Sequence, residues 1–435
     1  MLSSSGESCN SSAARGLAEE GSSKCDACYG EGERFAMEGY DGEDDGPEDY
    51  TIVPCLKCGG TGGAECESWT KAMSRRRGVA EPAVHCHPAR AGCSFVAVCT
   101  GGDGGSVGGA GGHRAVNFAA PRALEPDSAL ARQLRALLLE HGVLVFPGQA
   151  HLLPDDEVRI AQLFDHDATE EHPSASSKLF GDKGEPWLRD VPAVRLVGTA
   201  HVCDYFGTTG EVCNYSEWHP DQRAWHQDGT ADTGPVPPRV GLLRSVRQPA
   251  KGGDTLFANT RCIAEHILAR EHAGEFDDWE VKPSEARAFF RRAEKSILSR
   301  DGVAIVEASG AMTKSHGPFP LIIRDERDRP MCMYNWNLEC ITMPDGQRLS
   351  QEQSWQFARE LFGPDLNNSN DPAVSYAHKW TQGDLVIWDQ WATLHSATAK
   401  CLYAGAERLL HRVRLRGSRP PIPYVSSNTA TTSSL

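Results

Sequence analysis

The stretch AWHQDGTADTGPVPPRVGLLRSVRQPAKGGDTLFANT, residues 224–260, carries the signals that decide the fold of this chain. Two short apolar runs in it, VGLLRSV and DTLFANT, are separated by Gly and Pro, which favour turns between strands. Three similar runs, PLIIRD, DLVIWDQ and HRVRLRG, follow further along the chain. Many short strands with turn signals between them are typical of an all-β barrel or sandwich. We therefore predict a mainly β domain.

Helices are predicted on the N-terminal side of this β region. The apolar spacing of LARQLRALLLEH, residues 130–141, predicts a helix that Ser128 can cap and Gly142 can end. The following VLVF, residues 143–146, predicts a buried strand. Pro154 and the three acids after it suit the first turn of a second helix. The sequence thus predicts a β domain with flanking helices.

A candidate metal site lies in the opening stretch. His226 and Asp228 are two positions apart, so on an extended strand both side chains lie on one face. One imidazole and one carboxylate supply two corners of a two-histidine, one-carboxylate iron site, which leaves coordination positions open. His395 follows the strand-like DLVIWDQ and is placed to supply the third corner. The spacing alone is weak evidence, since a His beside an Asp is more often an ordinary surface or core pair.

The motifs around these residues make the pattern specific. Over residues 116–424 the chain resembles the taurine and 2,4-dichlorophenoxyacetate (TauD/TfdA) dioxygenase family, whose members show WHxD, a proline-containing turn, GGDT, WDN before a His, and an ERxLxHR-like element. The matching elements here are Trp225-His226-Gln227-Asp228, Pro237-Pro238, Gly252-Gly253-Asp254-Thr255, Trp388-Asp389-Gln390, His395, Glu407-Arg408-Leu409-Leu410-His411-Arg412 and Gly417. Gln390 stands where the family often has Asn.

The resemblance implies a double-stranded β-helix (jelly roll) in which His226, Asp228 and His395 hold Fe(II). It also implies that the cosubstrate 2-oxoglutarate chelates the iron, while Thr255 and Arg408 hold its distal carboxylate. A guanidinium fork and a hydroxyl donor suit a carboxylate. The implied reaction consumes O2, converts 2-oxoglutarate to succinate and CO2, and hydroxylates an aliphatic C–H.

Two further residues bear on the substrate. Arg412 lies four residues after Arg408 on a predicted strand, so both side chains can face one cavity. The resemblance places Arg412 against the substrate's anionic group or the 1-carboxylate of 2-oxoglutarate. Gln222 stands where the taurine enzyme has an Asn that contacts its substrate. We expect a small anionic substrate, but the stretch 194–218 is unlike the taurine enzyme's lid, and taurine itself is not supported.

A separate cysteine motif precedes this domain. The motif CxxCxGxG occurs twice and supplies four thiolates, a common set for a closed tetrahedral Zn(II) site, from Cys25, Cys28, Cys55 and Cys58. The pair resembles half of the cysteine-rich region of DnaJ-type chaperones, which implies one zinc at most and a possible protein partner. The alternative is that these thiols are labile or redox-active. A second metal site could be formed by six further residues, but their spacing is irregular and we do not predict it: Cys66, Cys86, Cys93, Cys99, His85 and His87.

Composition divides the chain and excludes some partners. We predict a disordered N-terminus (1–24), a zinc module (25–66), a flexible Gly-rich linker (67–115), the dioxygenase domain (116–424) and a tail (425–435). The formal net charge of −15 argues against a nucleic-acid partner, and no run of 18 apolar residues suggests a membrane span. With no signal peptide in view, we expect an intracellular, cytoplasmic protein, and an organelle remains open.

Two function classes remain to be distinguished. The first is a working dioxygenase that acts on a small molecule. The second is a zinc-module adaptor or chaperone-like protein whose oxygenase domain is an inactive shell. The first class is favoured because an inactive site need not keep all five of the residues that the chemistry requires, and this chain has His226, Asp228, His395, Thr255 and Arg408. A protein or nucleic-acid substrate is disfavoured by the acidic charge and by the resemblance.

Overall fold

The structure is a computed structural model that describes residues 33–36, 51–54, 83–102, 115–119, 123–169, 187–213, 223–231, 234–298, 305–312, 314–367, 370–398 and 407–425. The predictions for the N-terminal segment 1–24, for the zinc ligands and for Gln222 fall outside these residues. The zinc ligands in question are Cys25, Cys28, Cys55 and Cys58.

The described residues form four helices and twenty-one strands. The helices are α1 (Ala129–His141), α2 (Pro154–Gln162), α3 (Thr260–His272) and α4 (Gln351–Leu366). The first ten strands are β1 (Glu33–Ala36), β2 (Thr51–Pro54), β3 (Ala83–Pro88), β4 (Val96–Gly102), β5 (Val143–Phe146), β6 (Val194–Tyr205), β7 (Thr208–Cys213), β8 (Val240–Arg247), β9 (Thr255–Asn259) and β10 (Arg287–Phe290). The others are β11 (Ala293–Leu298), β12 (Ile305–Met312), β13 (His316–Pro320), β14 (Ile322–Arg324), β15 (Pro330–Cys332), β16 (Leu338–Thr342), β17 (Ser375–His378), β18 (Leu385–Asp389), β19 (Thr393–Ala397), β20 (Arg408–Val413) and β21 (Ile422–Pro423).

The largest sheet has eight strands in the order β3-β4-β5-β18-β8-β20-β6-β7. Its ladders are antiparallel except for β4–β5, which is parallel. A second sheet has the order β17-β9-β19 and is antiparallel throughout. Smaller sheets are formed by β13-β10-β16, β15-β14-β21, β11-β12 and β1-β2. The mainly β prediction is therefore confirmed, while the double-stranded β-helix topology stays a prediction.

The two predicted flanking helices form where the sequence placed their ends. Ser128 Oγ accepts a hydrogen bond from the backbone N–H of Ala131 and caps α1, and Gly142 ends it at a φ of 82°. Pro154 opens α2, with acids in its first turn as the dipole of a helix favours. The apolar faces of both helices pack against the largest sheet. Successive residues of a strand lie on opposite sides of a sheet, so every second residue of these strands faces the helices.

Alternation along the strands separates two cores. Leu242 and Ile387 pack with α1 and α2 on the outer side of the largest sheet. Leu243 and Val386 instead point to the inner side, where they meet Phe257 of β9. A third core lies around α3 and α4. The inner core thus lies between the largest sheet and β17-β9-β19, and the polar site described below lies next to it.

The predicted linker boundary needs correction. Strands β3 and β4 lie within residues 67–115, yet β4 pairs with β5 and extends the largest sheet. The Gly-rich run at 101–112 predicts a linker, but Val96 and Ala97, just before it, are fully buried. Cys86 and Cys99 face each other across the β3–β4 ladder and form a disulfide, so neither is available as a zinc ligand.

Within the described residues, no helix has the length and apolar composition needed to cross a bilayer.

Candidate metal centre and cosubstrate site

The backbone brings the two predicted histidine ligands together. His226 and His395 form an isolated antiparallel bridge, with His226 N–H donating to His395 O at 3.1 Å and His395 N–H donating to His226 O at 3.0 Å. Directly opposed residues on an antiparallel pair project on the same face, so both imidazoles point the same way. Their ring centroids are 4.2 Å apart. A separation of 169 positions in the sequence is thus closed by one pair of backbone hydrogen bonds.

Asp228 completes the group. Its Oδ1 lies 3.5 Å from His226 Nε2, and its Oδ2 lies 3.6 Å from His395 Nε2. One ligand atom from each of the three residues lies within 4.8 Å of the others. The turn that starts at Asp228 is fixed by Gly229 at a φ of 78° and by Thr230 Oγ1, which donates to Gln227 O at 2.9 Å. Three convergent N and O donors of this kind suit Fe(II) in a facial arrangement.

Hydrogen bonding orients the first imidazole for metal binding. His226 Nδ1 lies 2.7 Å from Ala224 O, which makes Nδ1 the protonated nitrogen and leaves the Nε2 lone pair directed at Asp228. Burial, with His226 as the next cause, lowers the pKa of His395 to about 3. The His395 ring is therefore neutral at physiological pH, as a metal ligand must be.

A glutamine holds the carboxylate ligand. Gln390 Nε2 donates to Asp228 Oδ2 at 2.9 Å, and Asp228 N–H donates to Gln390 Oε1 at 3.3 Å. Gln390 is 1% exposed. It is carried on a loop shaped by Asp389, whose Oδ1 accepts from Trp391 N–H at 2.9 Å and whose carboxylate pairs with Arg239. The loop therefore delivers one side-chain amide to both the carboxylate and the backbone of Asp228.

Arg412 lies at the same carboxylate. Its Nη2 forms an ion pair with Asp228 Oδ1. Burial alone would raise the pKa of Asp228, but Arg412, His395 and His226 together hold that pKa well below its usual range. Asp228 is thus ionised and ready to bind a cation, with a positive side chain beside it.

The two predicted cosubstrate anchors lie further along the inner face. On β20, Arg408, Leu410 and Arg412 are spaced two positions apart and therefore lie on the same side of the strand, where Leu410 belongs to the inner core. Arg408 is 4% exposed, and its Nη2 donates to Gly253 O at 2.6 Å. A Cβ added to Gly253 would lie 2.7 Å from Arg408 Nε, so the glycine makes room for the guanidinium. Thr255 follows two residues later and is 6% exposed.

The structure therefore assembles the three predicted ligands and places Arg412 against one of them. Arg408 lies against the GGDT turn that precedes Thr255, while Gln222 falls outside the described residues. Sequence reasoning missed the role of Gln390, although its position after Trp388-Asp389 marked it as a departure from the usual Asn. It also missed Trp380, whose Nε1 donates to Thr255 Oγ1 at 3.0 Å.

The donor set fits the two groups that the sequence implies. Two imidazoles and an ionised carboxylate match the ligands of non-haem Fe(II) enzymes. His395 Nδ1 is buried without a hydrogen-bond partner among the described residues, and Nε2, 3.6 Å from Asp228 Oδ2, is the ring nitrogen directed at the other ligands. A buried guanidinium beside a turn with no Cβ fits the distal carboxylate of 2-oxoglutarate (α-ketoglutarate).

Comparison with known proteins gives the same family. A family model described as "Taurine catabolism dioxygenase TauD, TfdA family" matches residues 105–414. An α-ketoglutarate-dependent sulfate ester dioxygenase from Pseudomonas putida is 26% identical over 305 residues, which cover 68% of this chain and 83% of that protein. An alkylsulfatase from Acinetobacter baylyi is 25% identical over 304 residues, which cover 67% of this chain and 78% of that protein.

Solved structures agree on the fold. The crystal structure of a "Putative Alpha-ketoglutarate-dependent Taurine Dioxygenase" from Burkholderia xenovorans matches with a TM-score of 0.50 at 20% identity, covering 78% of this chain and 92% of that one. The family model spans most of the sequence, and the three ligand residues lie within the matched region. The chain therefore belongs to the taurine catabolism dioxygenase TauD, TfdA family, and it is an α-ketoglutarate-dependent non-haem iron dioxygenase with a His226–Asp228–His395 site.

Proposed function

We propose that this enzyme hydroxylates an aliphatic C–H of a small anionic organic molecule while 2-oxoglutarate is converted to succinate and CO2. The observation that carries the proposal is the position of Arg412, which places a guanidinium directly at the iron-ligating Asp228. A cation at that position favours a substrate that brings its own negative charge to the metal. The cross-strand neighbour of Arg412 on β6 is a second arginine, Arg195, which is 8% exposed.

The residues of this chain bind, orient and shield the reactants. Bound Fe(II) with 2-oxoglutarate supplies the oxidising chemistry with O2, and the protein decides which C–H lies nearest to it. The Gln390 amide and the Ala224 carbonyl fix the orientation of two ligands. The inner core around Phe257 and Trp388 keeps bulk water from one side of the site.

Thr255 and Arg408 are proposed to hold the distal carboxylate of 2-oxoglutarate. The Arg408 guanidinium is buried and directed at the GGDT turn, and Thr255 adds a hydroxyl donor at the start of β9. Burial at this position removes the guanidinium from water, which is unfavourable. A carboxylate that accepts two of its hydrogen bonds offsets this cost.

Sulfate monoesters are the first substrate class to test. The names of two similar proteins, a sulfate ester dioxygenase and an alkylsulfatase, both refer to this class. Hydroxylation of the carbon that bears the sulfate oxygen gives a hemiacetal-like product, which collapses to an aldehyde and free sulfate. The same product logic holds for other anionic ethers or sulfonates.

The experiment measures succinate formed from 2-oxoglutarate with a panel of alkyl sulfates, sulfonates and carboxylates, and with neutral alcohols of matched length. The expected result is stimulation by one anionic class and none by the alcohols. In Arg412→Ala the stimulation is lost, whereas in Arg359→Ala, at an exposed position on α4, it is unchanged. Equal stimulation by neutral and anionic compounds, or full stimulation in Arg412→Ala, overturns the anionic substrate.

We also propose one zinc ion in the N-terminal module. The β1–β2 ladder pairs Glu33 with Pro54, so in the sequence one CxxCxGxG motif precedes its first strand and the other follows its second. In an antiparallel hairpin these two chain ends lie at the same end of the ladder. Metal analysis should give one zinc per chain in the wild type and none in a variant with Cys25, Cys28, Cys55 and Cys58 changed to Ser. Zinc retained in that variant, or absent from the wild type, contradicts the proposal.

A further inference from the structure

A buried tryptophan contacts the hydroxyl of the proposed cosubstrate anchor. Trp380 Nε1 donates a hydrogen bond to Thr255 Oγ1 at 3.0 Å. Both side chains are 6% exposed, so water competes little for this bond. The indole also belongs to the inner core with Phe257 and Leu410, on the side of the sheet that Arg408 shares. The contact is therefore buried on the inner side of the largest sheet and does not lie on the surface.

The direction of this hydrogen bond constrains the threonine. A hydroxyl has one proton and two acceptor lone pairs, and its rotor is otherwise set by whatever partner is present. An indole N–H can only donate, so the Thr255 oxygen must be the acceptor. With that lone pair engaged, the hydroxyl proton is directed away from Trp380. A donor that receives a hydrogen bond is also polarised towards giving a stronger one.

The indole is itself held in place by its surroundings. The register of β17 and β9 pairs His378 with Thr255, which sets Trp380 two residues beyond the partner of the threonine. The Trp380 and His378 rings pack edge to face, with their centroids 4.5 Å apart and an interplanar angle of 86°. His378 is 3% exposed, and its Nε2 lies 3.3 Å from Asp384 Oδ2, which accepts from Thr381 N–H at 2.8 Å. The buried His378 ring thus packs against the edge of the indole.

We propose that Trp380 is a positioning residue for the cosubstrate: it turns the Thr255 hydroxyl proton towards the distal carboxylate of 2-oxoglutarate. The inference rests on the proposed role of Thr255. It predicts that Trp380 acts on the distal carboxylate, because the hydrogen bond from Trp380 is made to that hydroxyl. The chelating end of 2-oxoglutarate should be insensitive to the change.

The test is anaerobic titration of Fe(II)-loaded enzyme with 2-oxoglutarate and, separately, with 2-oxobutanoate, which has the same chelating end and no distal carboxylate. Trp380→Phe keeps an aromatic ring and removes the N–H. It is expected to weaken 2-oxoglutarate binding by about tenfold, the loss that one hydrogen bond to a charged group predicts, and to leave 2-oxobutanoate binding unchanged. In a Thr255→Val background the same substitution should add little, because the two residues act as one unit.

Controls separate this role from simple packing. Trp355 on α4 donates its indole N–H to Leu338 O at 3.2 Å. Trp355→Phe removes this N–H and should leave both affinities unchanged. Trp380→His, which keeps a ring N–H, should recover part of the 2-oxoglutarate affinity and serves if Trp380→Phe does not fold. Equal weakening of both ligands, or no weakening of 2-oxoglutarate, overturns the inference. A wild type that binds neither ligand overturns the proposed cosubstrate site itself.

Discussion

His411 and Arg412 are neighbours on β20, yet they belong to two different buried ionic clusters on opposite faces of the sheet. The outer cluster joins His411 to Glu157 of α2 and Arg244 of β8. The inner cluster joins Arg412 to Asp228 and the two ligand histidines. Each contains an arginine, a carboxylate and histidine, so composition alone does not tell them apart.

The outer cluster satisfies its own members. Arg244 donates to Glu157, His411 Nδ1 lies 3.0 Å from Glu157 Oε1, and His411 Nε2 lies 2.8 Å from the hydroxyl of Tyr205. Both ring nitrogens of His411 therefore have partners within the protein, and the residue is fully buried. Such a cluster ties α2 to the sheet and offers nothing to a ligand.

The inner cluster leaves lone pairs converging on one point. The Nε2 atoms of His226 and His395 lie 3.5 and 3.6 Å from Asp228 oxygens, while Ala224 O orients His226 and the Gln390 amide holds the Asp228 carboxylate. Convergent donors held from behind are what a metal site requires. The contrast teaches that a functional cluster on this sheet is recognised by what its atoms point at.

The largest expected effect is on turnover. Asp228→Ala removes one iron ligand, so iron-dependent succinate formation should fall to the level of metal-free protein while the fold is kept. The measurement is succinate release together with far-UV circular dichroism. Retained turnover in a folded Asp228→Ala protein would show that the inner cluster is not the metal site.

The outer cluster should respond in the opposite way. Glu157→Gln leaves the buried Arg244 without its carboxylate, and breaking a buried pair in this manner costs about 3–5 kcal/mol of unfolding free energy. Denaturant unfolding measures this loss. The matched control is Glu407→Gln, which breaks an exposed pair with Arg247 and should cost about 0–1 kcal/mol. Similar losses in the two variants would contradict the buried role of Glu157.

An intermediate effect is expected at Gln390. Gln390→Ala removes the amide that holds Asp228, and loss of a partner behind a metal ligand lowers metal affinity by about 10–100-fold. Competition for Fe(II) with a chelator of known affinity measures the change. Gln390→Asn, the residue that the family often has, should recover part of the affinity. An unchanged affinity in Gln390→Ala would remove Gln390 from the account.

The smallest effect is a slope of stability with pH. Burial is the largest cause that lowers the pKa of His411 in the folded protein, while Glu157 opposes it and Arg244 adds to it. Below the unfolded pKa of about 6.5 the unfolded chain therefore binds a proton that the folded chain does not, and stability falls with falling pH until the folded pKa is reached. Glu157, whose pKa is also lowered, adds a loss of the same sign at lower pH.

His411→Gln should flatten this dependence between about pH 7 and about pH 5. The measurement is the denaturant midpoint at several pH values, with the exposed His201→Ala as the control that keeps the wild-type slope. A His411→Gln protein whose stability falls as steeply as the wild type's would assign the slope to other groups.

The sequence predicted the iron ligands because the order and identity of the motifs can be read along the chain. The extended strand expected at His226 and Asp228 does not form, since His226 makes isolated bridges and Asp228 begins a turn. The sequence could not predict which partners hold the ligands, since Gln390 reaches Asp228 across 162 positions. The strands β3 and β4 were missed because the pairing of β4 with β5 joins residues that are distant in the sequence, and the Gly-rich stretch beside them predicts a linker. The Cys86–Cys99 disulfide was missed for the same reason, because register is a tertiary property.

The most direct test of the central claim is anaerobic titration of the protein with Fe(II) and 2-oxoglutarate, following the weak visible charge-transfer absorption of the chelate. The wild type and His201→Ala are expected to develop this absorption, and His226→Ala is not. Absorption of equal strength in His226→Ala, or none in folded, iron-loaded wild type, would contradict an iron and cosubstrate site at His226, Asp228 and His395.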